Sequence, residues 1–151
     1  MIIDTRIFGE IDVQEDKIIT FEEGIIGFPD CKRFTLIFDE DKNDRHSISW
    51  MQSLDEPVFA LPVMDPLLVK PDYNPKVEEE LLKELGELTE ENIFILVTVT
   101  VPENIEELSV NLKAPLIINV DERKAVQMII EDDLPVKYKI YEQLQARKAG
   151  E

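Results

Sequence analysis

Short β-forming runs separated by close turns constrain this chain more than any other feature. Runs rich in β-branched and aromatic residues cover positions 2–8, 11–13, 18–21, 34–38, 47–51, 58–63, 93–101, 109–112, 116–120 and 125–130. Such residues suit a pleated, half-buried surface. The run at 93–101 is apolar at nearly every position, which predicts burial on both faces, or on one with Thr98 and Thr100 marking the other. The hairpin signal is clearest where 116–120 and 125–130 flank a turn at 121–124.

Only two stretches have helical spacing. In the first, Asn74 and Pro75 suit a helix start, and Val77, Leu81, Leu82, Leu85 and Leu88 fall on one side. Glu78, Glu79 and Glu80 favour the positive end of the dipole, and Gly86 provides a stop. The second spans the tail from Pro135, capped by Asp132 or Asp133, with Val136, Ile140, Tyr141 and Leu144 on its apolar side and a frayed end from about residue 145. No strand–helix–strand alternation, repeat or linker is visible. The pattern predicts a mainly β fold, an antiparallel barrel or sandwich with two short helices. At 151 residues, positions 1–151 fit a single domain.

Thirty-three acids against sixteen Lys and Arg give a net charge of −17. That balance opposes direct nucleic-acid binding, whose affinity comes from cations neutralising phosphates. It equally opposes docking on anionic membranes. It favours solubility and steering toward basic partners. The first residues lack a basic stretch followed by an apolar one, so no signal peptide is expected, and the longest apolar run is far short of the ~20 residues of a membrane span. The protein is expected in the cytoplasm.

Catalytic parts are scarce. His46 is the single histidine and Cys31 the single cysteine, so no intrachain disulfide can form and a typical zinc site lacks ligands. Cys31 reads as a small, partly buried hydrophobe. Carboxylate pairs occur at Glu22/Glu23, Glu106/Glu107 and Asp132/Asp133. A carbohydrate-acting enzyme on a β-sandwich is the rival reading they allow. Neighbours in a strand point to opposite faces, however, and so do not converge. The run 39–44 resembles a calcium loop but lacks the required glycine and distal glutamate. No phosphate-binding glycine motif is present, and no cofactor is expected.

What remains are residues suited to contact. Gly24 and Gly27 shape a loop carrying Phe28, which either plugs the core or faces outward. Prolines at 66, 71 and 75 stiffen a segment bearing Met64, Leu67 and Tyr73 beside Asp65 and Asp72. Apolar residues on such a segment lose little entropy on binding. The alternative is that they fold back as a lid on the barrel mouth.

Several motifs then resemble, in order, the bacterial flagellar assembly factor FliW family. They are Ile3-Asp4-Thr5-Arg6-Ile7-Phe8-Gly9-Glu10, the stretch from Ile18 to Phe28, Met51-Gln52-Ser53, and Asn111-Leu112-Lys113-Ala114-Pro115 followed by an apolar strand ending at Asn119, with Gln127 in the returning strand. Met51 stands where the family pattern has Leu. The resemblance covers essentially the whole chain. It implies a β-barrel-like fold without enzyme activity. It also implies two partners, flagellin and the carbon storage regulator CsrA, whose repression of flagellin mRNA translation such proteins relieve. The free protein is expected to be a monomer. Asp65, Pro66, Leu67, Asp72 and Tyr73 are the expected CsrA contact. Gly24, Gly27, Phe28, Gln52, Asn111, Ala114, Pro115 and Gln127 carry the family signature and are expected to be structural.

Overall fold

The computed structural model describes residues 1–38, 48–77 and 79–149. The calcium-like run 39–44 and His46 lie outside the described residues, as does Glu78.

Among the described residues eleven strands form. In chain order they are β1 (Ile2–Thr5), β2 (Gly9–Asp12), β3 (Ile19–Phe21), β4 (Arg33–Ile37), β5 (Ser49–Ser53), β6 (Ala60–Met64), β7 (Ile93–Thr100), β8 (Ser109–Val110), β9 (Leu116–Asn119), β10 (Lys124–Gln127) and β11 (Tyr138–Lys139). The helices are α1 (Glu79–Leu82) and α2 (Tyr141–Ala149). β1 and β2 make a separate hairpin. The rest run β11-β8-β7-β6-β5-β4-β3-β10-β9, and β9 returns to pair with β7. Seven strands, β7-β6-β5-β4-β3-β10-β9, therefore close into a barrel, and β8 and β11 extend outward from β7.

Closure rests on Ile93↔Asn119 through Leu96↔Leu116. One pairing departs from the antiparallel expectation: β3 and β10 run parallel, at Lys124↔Thr20 and Ala125↔Phe21. These strands are far apart in sequence, so no hairpin fixes their relative direction. Pro62 sits in β6, opposite Trp50. Pairing of β6 with β7 covers only Val63↔Thr98 and Met64↔Val97, so the missing proline N–H falls where β7 makes no demand on it.

The barrel is narrow enough for side chains to fill. Phe21, Phe34, Met51, Val63, Leu96, Leu116 and Ile118 occupy its interior. The opposite face of β7 is covered too. Val97 and Val99 pack with Met64, Val69, Leu108, Leu112 and Ile140. Ile93 and Ile95 pack with Leu85, Ile117, Met128 and Ile130. This two-sided burial accounts for the unbroken apolar character of that strand.

Both helices differ from expectation. The first begins at Glu79, not at Pro75, and ends in a 3-10 turn, Lys83–Leu85, stopped by Gly86 at φ 87°. Asn74 caps nothing. Residues 74–77 are irregular instead, and Val77 joins Leu82, Leu85 and Leu88 over the outer face of the barrel. The second begins at Tyr141, not near Asp133, and runs to Ala149. Backbone pairing wins upstream: Leu112 N–H donates to Pro135 C=O at 3.0 Å, and Tyr138 pairs with Val110. Val136 is accordingly exposed. The expected strand at 2–8 stops at Thr5, whose hydroxyl donates to Gly9 C=O and accepts from Phe8 N–H, folding the chain into the β1–β2 turn.

Ile118 is 1% exposed in the barrel interior. Ile118→Ala should lower stability by about 2–5 kcal/mol, while Ile129→Ala at the surface should stay within about 0.5 kcal/mol. Urea titration checks both, with a fallen midpoint and unchanged slope expected for Ile118→Ala.

Candidate functional site

The proline-stiffened segment folds as a braced shelf. Asp65 caps a 3-10 turn, Pro66–Leu68, its Oδ1 accepting from Leu67 N–H at 2.9 Å. Lys70 N–H and Tyr73 N–H close two further turns onto Pro66 C=O and Lys70 C=O. Tyr73 is buried, and its hydroxyl donates to Leu112 C=O at 2.7 Å. Burial pushes that phenol up to about 12. Lys70 pairs with Asp72 at 3.1 Å; this bond, with the ammonium charge, holds the Asp72 carboxyl below its usual range.

Two of the candidate contact residues are thus buried anchors, Pro66 and Tyr73, and one is displayed: Leu67 is 51% exposed. Asp65 and Asp72 flank it, Asp65 half-buried and Asp72 exposed. Behind Leu67 runs a groove of about 380 Å³, walled by Pro66, Tyr73, Pro75, Val77, Ile93 and Ile95. Met64 does not belong to the displayed set, because it is 1% exposed in the core.

The signature residues build the scaffold around a second loop. Gly24 has φ 73°, and a Cβ there would meet Pro29 C=O at 2.5 Å, so only glycine fits. Gly27, at φ 87°, completes the tight turn in which Ile25 and Phe28 exchange backbone hydrogen bonds. Phe28 faces outward while keeping one ring contact with the barrel. It is 46% exposed, and it stacks on Phe59 at 4.3 Å, which in turn meets Phe34 edge-on. Gln127 Oε1 accepts from Ile26 N–H at 2.8 Å, and its Nε2 donates to Ala114 C=O at 3.1 Å. Asn111 Oδ1 accepts from the N–H groups of Lys113 and Ala114, a side-chain-capped turn that Pro115 then leads into β9. Gln52 is fully buried, and its Nε2 donates to the carbonyls of Ser53, Pro57 and Phe59.

The turn at 111–115 is therefore a junction. Tyr73 reaches it at Leu112 and Gln127 reaches it at Ala114, so it joins the Leu67 shelf to the Phe28 loop. Sequence reasoning missed Asn119 as a comparable organiser. Fully buried, it donates to the Leu85 and Glu87 carbonyls and accepts from Asp121 and Glu122 N–H. Its position at the end of an apolar strand, where a polar residue would otherwise be unwelcome, was the available signal.

The carboxylate pairs stay apart in the fold. Glu22/Glu23 follow β3, Glu106/Glu107 lie in the turn before β8 with Glu107 ion-paired to Lys139, and Asp132/Asp133 precede β11. Among the described residues no group of acids, His or Cys could hold a metal ion. No described helix is long and apolar enough to cross a membrane. Cys31 is free and buried.

Tyr73→Phe should cost about 1–3 kcal/mol at neutral pH, because Leu112 C=O loses its buried donor. In the unfolded chain a tyrosine ionises near 10, so the neutral phenol's contribution is complete below about pH 10 and is lost as pH rises toward about 12. Thermal melts across that window should show the wild type losing more stability than Tyr73→Phe.

The FliW protein family model matches residues 2–140. The flagellar assembly factor FliW of Lachnoclostridium phytofermentans is 48% identical over 152 residues, covering 100% of this chain and 97% of that protein. That of Thermotoga neapolitana is 38% identical and covers 99% of each. A crystal structure of the flagellar assembly factor FliW superposes with a TM-score of 0.84 at 27% identity, covering 93% of this chain and 97% of the other. Fold, motif order and full-length similarity agree, and the chain belongs to the FliW family of flagellar assembly factors.

Proposed function

We propose that this assembly factor is a non-enzymatic cytoplasmic binding protein, monomeric when free, that engages flagellin and the carbon storage regulator CsrA. By holding CsrA it relieves repression of flagellin mRNA translation, and flagellin controls how much of it is free to do so. The CsrA contact is the shelf formed by Asp65, Pro66, Leu67, Asp72 and Tyr73.

The observation that carries this reading is Leu67. A large apolar side chain is held out to solvent on a segment whose backbone is fixed from both ends, by the Asp65 cap and the Tyr73 anchor. Such preorganisation spares the entropy cost of ordering a loop on binding. Burying one leucine contributes about 1.5–3 kcal/mol, enough to make it an anchor. The net charge of −17 supports encounter with a basic regulator and leaves the contact itself to shape and apolar burial.

Immobilised wild-type protein should capture both flagellin and CsrA from a lysate of its own organism. Leu67→Asp should weaken CsrA capture by about tenfold or more, with folding unchanged because the side chain is already exposed. Failure of the wild type to retain either protein contradicts the proposed function. Equal CsrA capture by Leu67→Asp contradicts the assigned contact alone. The association rate with CsrA should also fall between 0.1 and 1 M salt, as the screening length shrinks from about 10 to about 3 Å.

A further inference from the structure

A second groove, away from the Leu67 shelf, lies between the Gly24–Phe28 loop, β10 and the end of α1. Its volume is about 250 Å³. Ile25, Ile26, Leu85 and Val126 supply apolar wall. Glu22, Glu23 and Glu84 stand along its rim with one cation, Lys124. The three glutamates are exposed, and no ion pair is formed by any of them among the described residues. Ile26 is 52% exposed at the lip.

Each property narrows the occupant. Small-molecule sites run to about 300–1,000 Å³, and this groove is smaller, sized for one large side chain. A metal ion is excluded because the rim carboxylates do not converge on a common point. β10 is paired with β9 along its whole length and with β3 at Lys124 and Ala125, which leaves only Val126 and Gln127 of that edge, too short a stretch for an added strand. What fits is an apolar side chain flanked by positive charges. The loop is also preset: Gln127 holds Ile26 N–H, and the Ile25–Phe28 bridge closes the turn. Little ordering cost is left for binding.

We propose that this groove is a docking site for a protein segment that carries one large apolar side chain between basic residues. The apolar side chain enters against Ile26 and Leu85, and the flanking cations meet Glu22, Glu23 and Glu84. This proposal is independent of which partner uses the Leu67 shelf.

The probe is a short synthetic peptide with one leucine between two lysines, the remainder serine and glycine. It is titrated into the full chain while backbone amide NMR shifts are followed. The largest shifts should fall at residues 22–28, 84–85 and 124–127. Replacing the leucine by serine should weaken binding by about tenfold, as should Ile26→Asp, whereas Ile129→Asp should not. Ile26 keeps its structural hydrogen bond through the backbone, so this variant remains folded, and its amide spectrum checks that. Reversing the rim with Glu22→Lys, Glu23→Lys and Glu84→Lys should transfer preference to a peptide with glutamates in place of lysines. Shifts spread over the whole acidic surface, equal binding of the leucine and serine peptides, or no binding at all would each overturn the proposal.

Discussion

The pairing of β7 with β9 is the interaction on which the rest of this molecule depends. It turns a sheet into a barrel by joining Ile93–Leu96 to Leu116–Asn119, segments about twenty residues apart. Closure pairs β7 and β9, two strands whose edges would otherwise be open to a further chain. It also leaves β7 buried on both sides, with Leu96 inside and Val97 outside. Both proposed contact surfaces are mounted on β7 or on the strands that follow β9 around the barrel. The Leu67 shelf leans on Ile93 and Ile95, and the Phe28 loop is bonded to β10, which pairs with β9.

The chain between β7 and β9 carries the 111–115 turn, which closure brings against both surfaces. Asn111 shapes the turn, Tyr73 grips it from one side and Gln127 from the other. These are buried or half-buried polar groups, and such groups specify geometry because leaving one unpaired is costly. Together with the Asp65 cap, these bonds brace the backbones on either side of the turn. They place two apolar side chains, Leu67 and Ile26, in solvent on backbones that cannot easily withdraw them. In a protein of net charge −17, both displayed side chains have carboxylates nearby, Asp65 and Asp72 for the first and Glu22, Glu23 and Glu84 for the second.

Much of the barrel was legible in the sequence because alternation and turn chemistry are local. Gly24 and Gly27 announced a shaped loop, and Val77, Leu82, Leu85 and Leu88 announced a shared apolar face. What escaped was set by distant partners. Nothing near Phe21 or Ala125 says that their strands run parallel. Asn74-Pro75 is a good helix start in isolation, yet Tyr73 is pinned to Leu112 and the following residues spread along β7 instead. Val136, Ile140 and Leu144 have helical spacing, yet the backbone of residues 135–139 pairs with the strand region at 109–112. In the candidate site the prolines marked a stiffened segment, but only the fold separates the buried anchors Pro66 and Tyr73 from the displayed Leu67. The role of Gln127 was invisible for the same reason, since its two partners lie 101 and 13 residues away.

The proposed contact has a rigid barrel presenting a prebuilt shelf around Leu67 to CsrA. Hydrogen–deuterium exchange of the full chain, alone and saturated with CsrA, tests it most directly. The account predicts that amides of residues 65–73 gain protection in the complex, while those of the barrel strands, already slow to exchange, change little. Protection absent from 65–73 and concentrated on another face would contradict it.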